Sequence, residues 1–233
     1  MVCVVADLFS VFPIKVKIMI RILLADDHEV VRQGLCRILE LREDWEVCGE
    51  AADGRAAVDL ALKLKPDVVV MDLLMPELNG LEATRQIRRG MPETEVLVFT
   101  AHETVELIRE ALAAGARGYV LKTEPGQRLI EAIEALSQHQ LYFTPVVSET
   151  LLNAFLSNGR KREDASAFSV LTERERVVIQ LLAEGKGNRE VALSLGISAK
   201  TVESHRSAIM RKLGLHSIAD IVHYAIRNKL VEP

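Results

Sequence analysis

The sequence predicts two domains of different class, an α/β domain on a five-stranded, doubly wound parallel sheet and an all-α domain of four helices. Between residues 20 and 138, five short apolar runs alternate with helical patterns, as expected for βαβ units in one parallel sheet. From residue 171 onward the patterns are helical. The charge changes at the same place, because residues 171–233 carry ten basic and seven acidic side chains whereas residues 1–170 have a net charge of −7. This asymmetry indicates separate tasks for the two domains.

The chain of 233 residues is long enough for two domains, and we divide it into four parts. Residues 1–18 precede the first regular pattern and are predicted to be an N-terminal extension. Residues 19–139 are predicted to form the α/β domain, and residues 168–233 the helical one. Residues 140–167 are predicted to link them through a helix and then a flexible stretch rich in serine, glycine and charge.

The strands of the first domain are predicted from apolar runs, because a strand covered on both faces needs apolar side chains at successive positions. The predicted strands are Ile20–Ala25, Glu46–Ala51, Val68–Met71, Glu95–Phe99 and Tyr119–Leu121. Between and after them, apolar residues recur at helical spacing, and the predicted helices are Val30–Leu39, Gly54–Leu64, 81–89, Glu103–Ala114 and Pro125–Leu136.

The helices of the second domain are predicted from their caps. Thr172 and Glu175 form a capping-box pattern at the start of the first helix. The next two helices, Asn188–Leu195 and Ala199–Leu213, are separated by a glycine-bearing turn in which Ser198 can cap the second of them. A fourth helix is predicted to begin at Ser217. Two helices joined by such a short turn indicate a helix-turn-helix unit.

Composition excludes several classes of protein. No apolar run reaches the roughly 20 residues that a membrane-spanning helix needs, so we expect no membrane partner. A signal peptide is not expected either, because no basic residue precedes the apolar N-terminal run. Cys3, Cys36 and Cys48 are odd in number and lack metal-ligand spacing, which predicts a protein of the reducing cytoplasm.

Polar side chains stand at the carboxyl ends of the predicted strands. Asp26 and Asp27 follow the first strand, Asp72 the third, and Thr100 and Lys122 the fourth and fifth. These ends share one edge of a parallel sheet, the edge where α/β proteins bind ligands. Three carboxylates placed together repel one another unless a divalent cation joins them, and Mg²⁺ with open positions fits this set. Asp72 could then accept a phosphoryl group, whose oxygens suit the lysine and the threonine.

Each member of this group also has a plain structural interpretation. The two adjacent aspartates could cap the helix that follows them. The threonine could satisfy a backbone group at a strand end, and the lysine could be an ordinary surface side chain. Their joint occurrence at successive strand ends favours a site over these separate explanations.

Residues 20–138 resemble the receiver domain of bacterial two-component response regulators. The matching segments are Ala25–His28, Met71–Pro76 with Gly80, Phe99–Ala101 and Gly118–Lys122. The resemblance implies a CheY-like, flavodoxin-like fold and a partner histidine kinase that phosphorylates Asp72. It also implies that Asp27, Asp72 and the backbone carbonyl of Leu74 bind Mg²⁺, with Asp26 acting through water.

The same resemblance assigns three residues to the response that follows phosphorylation. Thr100 would move to meet the phosphoryl group, and Lys122 would pair with it. Tyr119 would turn inward behind the threonine. These three residues would therefore carry the switch between two states of the domain.

The predicted helix Ala199–Leu213 has an apolar face and a polar, partly basic face. A polar face on a helix that begins with a serine cap suits insertion into the major groove of DNA. The predicted phosphate contacts are Lys200, Thr201, Arg206 and Arg211. The side chains placed to read base edges are Glu203, Ser204 and Ser207. The alternative is a four-helix interaction module with a solvated charged face.

Residues 171–230 resemble the LuxR-type DNA-binding domain. The matching segments are Leu171–Arg176, Asn188–Ala192, Ile197–Arg206 and Ile209–Leu213. A receiver followed by this domain resembles the NarL/FixJ class of response regulators, which implies a homodimer on paired half-sites of double-stranded DNA when phosphorylated. The full predicted DNA-contacting set is Asn188, Lys200, Thr201, Glu203, Ser204, His205, Arg206, Ser207, Arg211 and Lys212.

We therefore expect a phosphorylation-dependent transcriptional regulator. It would not be an enzyme, although its receiver would assist its own phosphorylation and dephosphorylation with Mg²⁺. We also expect the unphosphorylated receiver to cover part of the helix Ala199–Leu213 and to release it on phosphorylation.

Three other functions are weighed against this one. A phosphatase of the haloacid-dehalogenase type also uses an aspartate at a strand end, but it needs a second aspartate two residues later, where Leu74 stands. A ligand-sensing regulator with the same DNA-binding domain would need a sensory pocket in place of the acidic cluster. A module that signals through protein contacts alone would not retain duplex DNA at low salt.

Overall fold

The computed structural model describes residues 19–157 and 170–231 of the chain. The first domain is one parallel sheet with helices on both of its faces. Its strands are β1 (Ile20–Ala25), β2 (Trp45–Ala51), β3 (Val68–Met71), β4 (Glu95–Thr100), β5 (Gly118–Leu121) and β6 (Tyr142–Phe143). The predicted extension at residues 1–18 and most of the predicted flexible stretch lie outside the described residues.

The order of the strands in the sheet is β2-β1-β3-β4-β5-β6, and all neighbouring pairs are parallel. The five predicted strands are therefore confirmed, and the sheet has one strand more than the sequence predicts. The extra strand β6 pairs Tyr142 with Gly118 and Phe143 with Tyr119. It is only two residues long, which is too short for a periodic pattern to reveal.

Helices connect the strands and cover the sheet. They are α1 (Glu29–Leu39), α2 (Gly54–Leu64), α3 (Gly80–Gly90), α4 (Val105–Ala114) and α5 (Gly126–Ser137). The two faces of the sheet form separate apolar layers, with Val69 and Met71 of β3 in one layer and Val68 and Val70 in the other. Burial on both faces explains why β3 is an unbroken apolar run, and it leaves the strand ends as the places for polar side chains.

A helix predicted near Ser148–Leu156 is also present. It extends over Pro145–Ser157 as α6 and packs against α4. Val147 of α6 is fully buried, whereas Leu152, Phe155 and Leu156 are exposed. The chain thus leaves the sheet edge along a helix that is anchored at its N-terminal end.

The second domain consists of four helices among the described residues. They are α7 (Glu173–Ala183), α8 (Asn188–Leu195), α9 (Ala199–Leu213) and α10 (Ile218–Arg227). The predicted capping box is confirmed, since Thr172 and Glu175 each bond the backbone of the other. Gly196 has φ of 63°, which allows the sharp turn between α8 and α9.

The two domains are in contact through α7 and the C-terminal segment. Arg89 of α3 forms an ion pair of 2.6 Å with Glu173 at the start of α7. At the other end of the chain, the Lys229 Nζ lies 3.2 Å from Nδ1 of His102, which follows β4. Within the described ranges, no helix combines the length and the apolar character that crossing a bilayer requires.

Candidate functional site

The register of β1 and β3 brings the first two aspartates of the candidate site together. Ala25 of β1 pairs with Met71 of β3, so Asp26 and Asp72 follow at neighbouring strand ends. The backbone N–H of Asp72 donates to the carbonyl of Ala25 over 2.8 Å. Both carboxylates are almost fully buried, with exposed fractions of 2% for Asp26 and 6% for Asp72.

Lys122 reaches this pair from the end of β5. Its ammonium group donates to Asp72 Oδ2 over 2.5 Å and lies 2.6 Å from Asp26 Oδ2. The backbone N–H of Lys122 donates to the carbonyl of Thr100 over 2.8 Å, which ties the end of β5 to the end of β4. The lysine is thus a half-buried cation shared between two buried carboxylates, not an ordinary surface side chain.

Charge crowding at this edge perturbs both partners of the ion pair. Burial raises the pKa of Asp72, Lys122 opposes that rise, and the nearby Asp26 adds to it. Burial alone would lower the pKa of Lys122, but the carboxylates of Asp72 and Asp26 outweigh it and raise the pKa. The lysine therefore stays charged, because the buried carboxylates of Asp72 and Asp26 favour a cation beside them.

The acidic group extends to Asp27 and to a residue that the sequence reasoning did not single out, His28. Ligand atoms of Asp26, Asp27, His28 and Asp72 all lie within 4.8 Å of one another. His28 Nδ1 is 2.7 Å from Asp27 Oδ1, and the Asp27 carboxylate raises the pKa of the imidazole. His28 is also the N-cap residue of α1, where its own side chain makes no cap bond, and Asp26 Oδ1 accepts from the His28 backbone N–H over 2.9 Å.

Oxygen donors of this kind fit a divalent cation such as Mg²⁺. The ion prefers one or two carboxylates, with waters or phosphate oxygens at its other positions. The Asp27 side chain is 33% accessible, so solvent reaches the acidic group on the side where Asp27 lies. Leu74 follows in the loop after β3 and is buried at 8% exposure. Because its side chain is a hydrocarbon, its backbone carbonyl is the group of this residue that could bind a cation.

Thr100 and Tyr119 complete the edge. The Thr100 hydroxyl is buried near the Asp72 carboxylate, whose pKa it lowers, yet no group in the described part of the chain completes a hydrogen bond of normal geometry with it. Tyr119 is fully buried, and its hydroxyl donates to the carbonyl of His102 over 2.7 Å. Burial also raises the pKa of Tyr119 well above its usual range. In this structure the tyrosine ring already has the inward position.

The loop between Asp72 and α3 is held close to the strand. The N–H of Gly80 donates to the carbonyl of Leu73, and a Cβ atom at Gly80 would lie 1.8 Å from the Asp72 carbonyl oxygen. Only glycine fits here, because a real Cβ atom cannot approach that closely. Asn79 caps α3 through its side chain, which accepts from Glu82 N.

Gln180 of α7 bonds this loop and is the main residue that sequence reasoning missed. Its side-chain oxygen accepts from Asn79 N and Nδ2 over 2.9 and 3.0 Å. Its side-chain nitrogen donates to the Met75 carbonyl and to Glu184 Oε1 over 2.9 and 2.8 Å. Gln180 is fully buried. A glutamine within the apolar run of α7 was the available signal, because a buried amide needs partners.

Nine of the ten predicted DNA-contacting residues lie on α9, and the tenth, Asn188, begins α8. Ser198 caps α9, its side chain accepting from Thr201 N over 3.1 Å. Most of the predicted side chains are exposed, namely Lys200, Thr201, Glu203, Ser204, Ser207, Arg211 and Lys212. Asn188, His205 and Arg206 are half-buried. Lys212 also pairs with Glu175 Oε2 at 2.6 Å, so it has a structural task inside its own domain.

The expected covering of α9 by the receiver is wrong for this structure. The domain contacts run through α7 and Lys229, and the polar face of α9 is open to solvent. The physical reason is which helix has buried groups that face the receiver. Gln180 of α7 is buried against the receiver loop, whereas the buried residues of α9, Val202 and Ile209, pack inside their own domain. The edge that is covered is the one that carries Asp72.

Two family models match separate parts of the chain. A family described as "Response regulator receiver domain" matches residues 22–134. A second, "Bacterial regulatory proteins, luxR family", matches residues 169–225. The curated "Oxygen regulatory protein NreC" of Staphylococcus aureus (strain MRSA252) is 40% identical over 215 residues, covering 91% of this chain and 99% of the relative.

Solved structures give the same picture. A two-component response regulator of the LuxR family from Aurantimonas sp. SI85-9A1 is 38% identical, with a TM-score of 0.57 over 59% of this chain and 99% of that one. RcsB from Salmonella enterica serovar Typhimurium, bound to promoter rprA in the presence of the phosphomimetic BeF3⁻, is 29% identical. Its TM-score is 0.59, covering 88% of this chain and 98% of the other.

Proposed function

Since the chain belongs to the two-component response regulators that carry a LuxR-type DNA-binding domain, we propose that Asp72 is its phosphoacceptor and the residue through which its DNA binding is controlled. The observation that carries this proposal is the position of Lys122, whose ammonium group bridges the buried carboxylates of Asp72 and Asp26 at the ligand-binding edge of the sheet. A histidine kinase would be the partner that supplies the phosphoryl group.

The side chains around Asp72 support an in-line transfer. An Asp72 oxygen would attack the phosphorus while the bond from phosphorus to the leaving atom breaks, and that atom, a nitrogen in phosphohistidine or an oxygen in acetyl phosphate, keeps the electron pair. Asp27, Asp72 and the Leu74 carbonyl would hold Mg²⁺, with Asp26 acting through water, and this ion would offset charge on the phosphoryl oxygens. Lys122 would give a second positive charge, and the Thr100 hydroxyl would donate to a phosphoryl oxygen.

Phosphorylation would reach the second domain through this edge. It adds about −1.5 to −2 charges and three acceptor oxygens beside the loop that α7 contacts. Thr100 and Lys122 would shift toward the new group, and the Tyr119 ring, which is already buried, would be held inward behind Thr100. The altered loop would bind α7 less well, and the freed chain would pair with a second copy on two half-sites. The predicted DNA-contacting set would then lie against duplex DNA in the cytoplasm.

The test compares the wild-type chain with Asp72→Asn, each with and without acetyl phosphate and Mg²⁺. Duplex DNA selected from a random pool by the phosphorylated chain is the probe, and light scattering reports the oligomeric state. We expect only the wild type to gain label, dimer and DNA affinity. Acid-labile label on the Asp72→Asn variant would place the acceptor elsewhere.

A further inference from the structure

The DNA-binding domain covers the edge of the receiver at which Asp72 lies. A cavity of about 220 Å³ lies between the two domains beside this edge. Asp72 does not line the cavity itself, but ligand atoms of Asp27, which does, and of Asp72 lie within 4.8 Å of one another. Asp27 and Leu74, two of the proposed Mg²⁺ ligands, line it from the receiver side. Ala183, Glu184, Leu230 and Val231 of the DNA-binding domain line it from the opposite side and form its roof. Leu230 is only 2% exposed, so the segment that follows α10 is packed into this roof.

The roof is fastened to the loop that follows Asp72. Gln180 bonds both Met75 and Asn79, which are the two ends of a five-residue segment of that loop. Between them, Glu77 forms an ion pair with Lys186, which follows α7. The buried amide satisfies the backbone groups only while the domains are docked, so docking is a defined state and not a loose contact.

We propose that the docked DNA-binding domain determines which phosphoryl donors reach Asp72: small donors enter through the cavity, whereas a donor histidine carried on a helix requires undocking. This inference rests on the proposed function. The cavity measures about 220 Å³, and the DNA-binding domain occupies its far side with Ala183, Glu184, Leu230 and Val231. A helix with its side chains is about 10–12 Å across and cannot approach Asp27 from that side while the domains are docked. A free phosphoramidate or acetyl phosphate molecule fits such a space, and a helix does not.

The direction of control follows from which surface is covered. The polar face of α9 is open, so docking leaves the DNA-contacting helix free and covers the side of the receiver edge on which Asp27 and Leu74 lie. The rate from a helical donor is then reduced by the fraction of molecules that are undocked, and the rate from a small donor is not. Gln180 is a residue that positions the roof, and it does not touch the reacting atoms.

The chemistry is the same for both kinds of donor. An Asp72 carboxylate oxygen forms the new bond to phosphorus, and the phosphorus–nitrogen bond of the donor breaks. The leaving nitrogen keeps the electron pair and takes a proton, so that phosphoramidate yields ammonia and a phosphohistidine yields neutral imidazole. The donors differ only in size, and their comparison isolates access to the site.

The experiment measures labelling rates of the full-length chain with two probes. One is phosphoramidate, and the other is a four-helix histidine-phosphotransfer domain that carries phosphohistidine. The variant Gln180→Leu removes the buried amide that bonds Asn79 and Met75, and it keeps a side chain of similar volume. We expect the rate from the helical donor to rise at least about tenfold and the rate from phosphoramidate to change less than about twofold. Gln140→Leu, at an exposed position far from the interface, is the matched control and should change neither rate.

A charge swap provides an independent variant. Lys186→Glu places a carboxylate against Glu77 and should open the domains, which raises the ratio of helical-donor to phosphoramidate rate. Combining it with Glu77→Lys restores opposite charges and should return that ratio toward the wild-type value. Equal changes with both donors, or no transfer from the helical donor to any variant, overturn the inference. No labelling of the wild type by phosphoramidate would instead contradict the proposed function itself.

Discussion

The edge around Asp72 and the polar face of α9 differ in how much of their geometry exists before a ligand arrives. At the edge, Asp26, Asp72 and Thr100 are buried and Lys122 already bridges two carboxylates. On α9 the polar side chains stand in solvent. A phosphoryl group is small and needs groups fixed within a fraction of an ångström. A DNA duplex is bound by the sum of many exposed contacts, each of which contributes little alone.

The largest effect should come from Lys122→Met, which removes the central charge of the edge. The two carboxylates would remain buried without their cation, so the free energy of unfolding without Mg²⁺ should fall by about 3 kcal/mol. The rate of phosphoryl transfer from acetyl phosphate should fall at least about 100-fold. Chemical denaturation and labelling kinetics measure both quantities.

A matched substitution in the other domain sharpens this comparison. Lys212→Met also removes a lysine that pairs with a carboxylate, Glu175, but Lys212 is more exposed and pairs with only one. The loss of stability should be about 1 kcal/mol. Equal losses for the two variants would show that the Asp72 edge is not specially preorganised.

An intermediate effect is expected for Thr100→Val, because the hydroxyl is buried without completing a hydrogen bond among the described residues. Valine should leave the free energy of unfolding unchanged or slightly higher, while phosphoryl transfer slows by about tenfold because a phosphoryl oxygen loses its donor. Thr84→Val is the control, since Thr84 donates to the Gly80 carbonyl over 2.6 Å and should cost about 1 kcal/mol. A stability loss at Thr100 as large as at Thr84 would argue against a hydroxyl reserved for the phosphoryl group.

The smallest effect is expected on the exposed face. Lys200→Ala should weaken duplex binding by about threefold to tenfold for all sequences, and it should reduce the slope of log affinity against log salt by about one. Lys63→Ala, an exposed lysine of α2, should leave both unchanged. Fluorescence anisotropy at several salt concentrations provides the measurement. A loss confined to one DNA sequence would assign Lys200 to base recognition.

The sequence predicts the edge well because strand ends are local features. An apolar run that stops at a polar residue places Asp72 at the end of a strand. A parallel sheet then brings that strand end next to the ends of its neighbours. The sequence predicts the domain contact poorly because that contact joins residues about a hundred positions apart. Gln180 meets Asn79 only after both domains have folded. For the same reason the covering of α9 was predicted incorrectly, since a charged helix face does not reveal which surface is buried.

The short strand β6 has a mechanical consequence. The chain leaves the receiver through Tyr142 and Phe143, which pair with Gly118 and Tyr119, and then enters α6. Tension along the connection between the domains is therefore applied to the strand that carries Tyr119 and ends beside Lys122. A pull from the DNA-bound half of the molecule would act on α6 and then, through β6, on the strand that carries Tyr119. In a force experiment, the chain would be held by its N-terminus and its C-terminus. The applied force should change the lifetime of the phosphoryl group on Asp72 before it unfolds either domain.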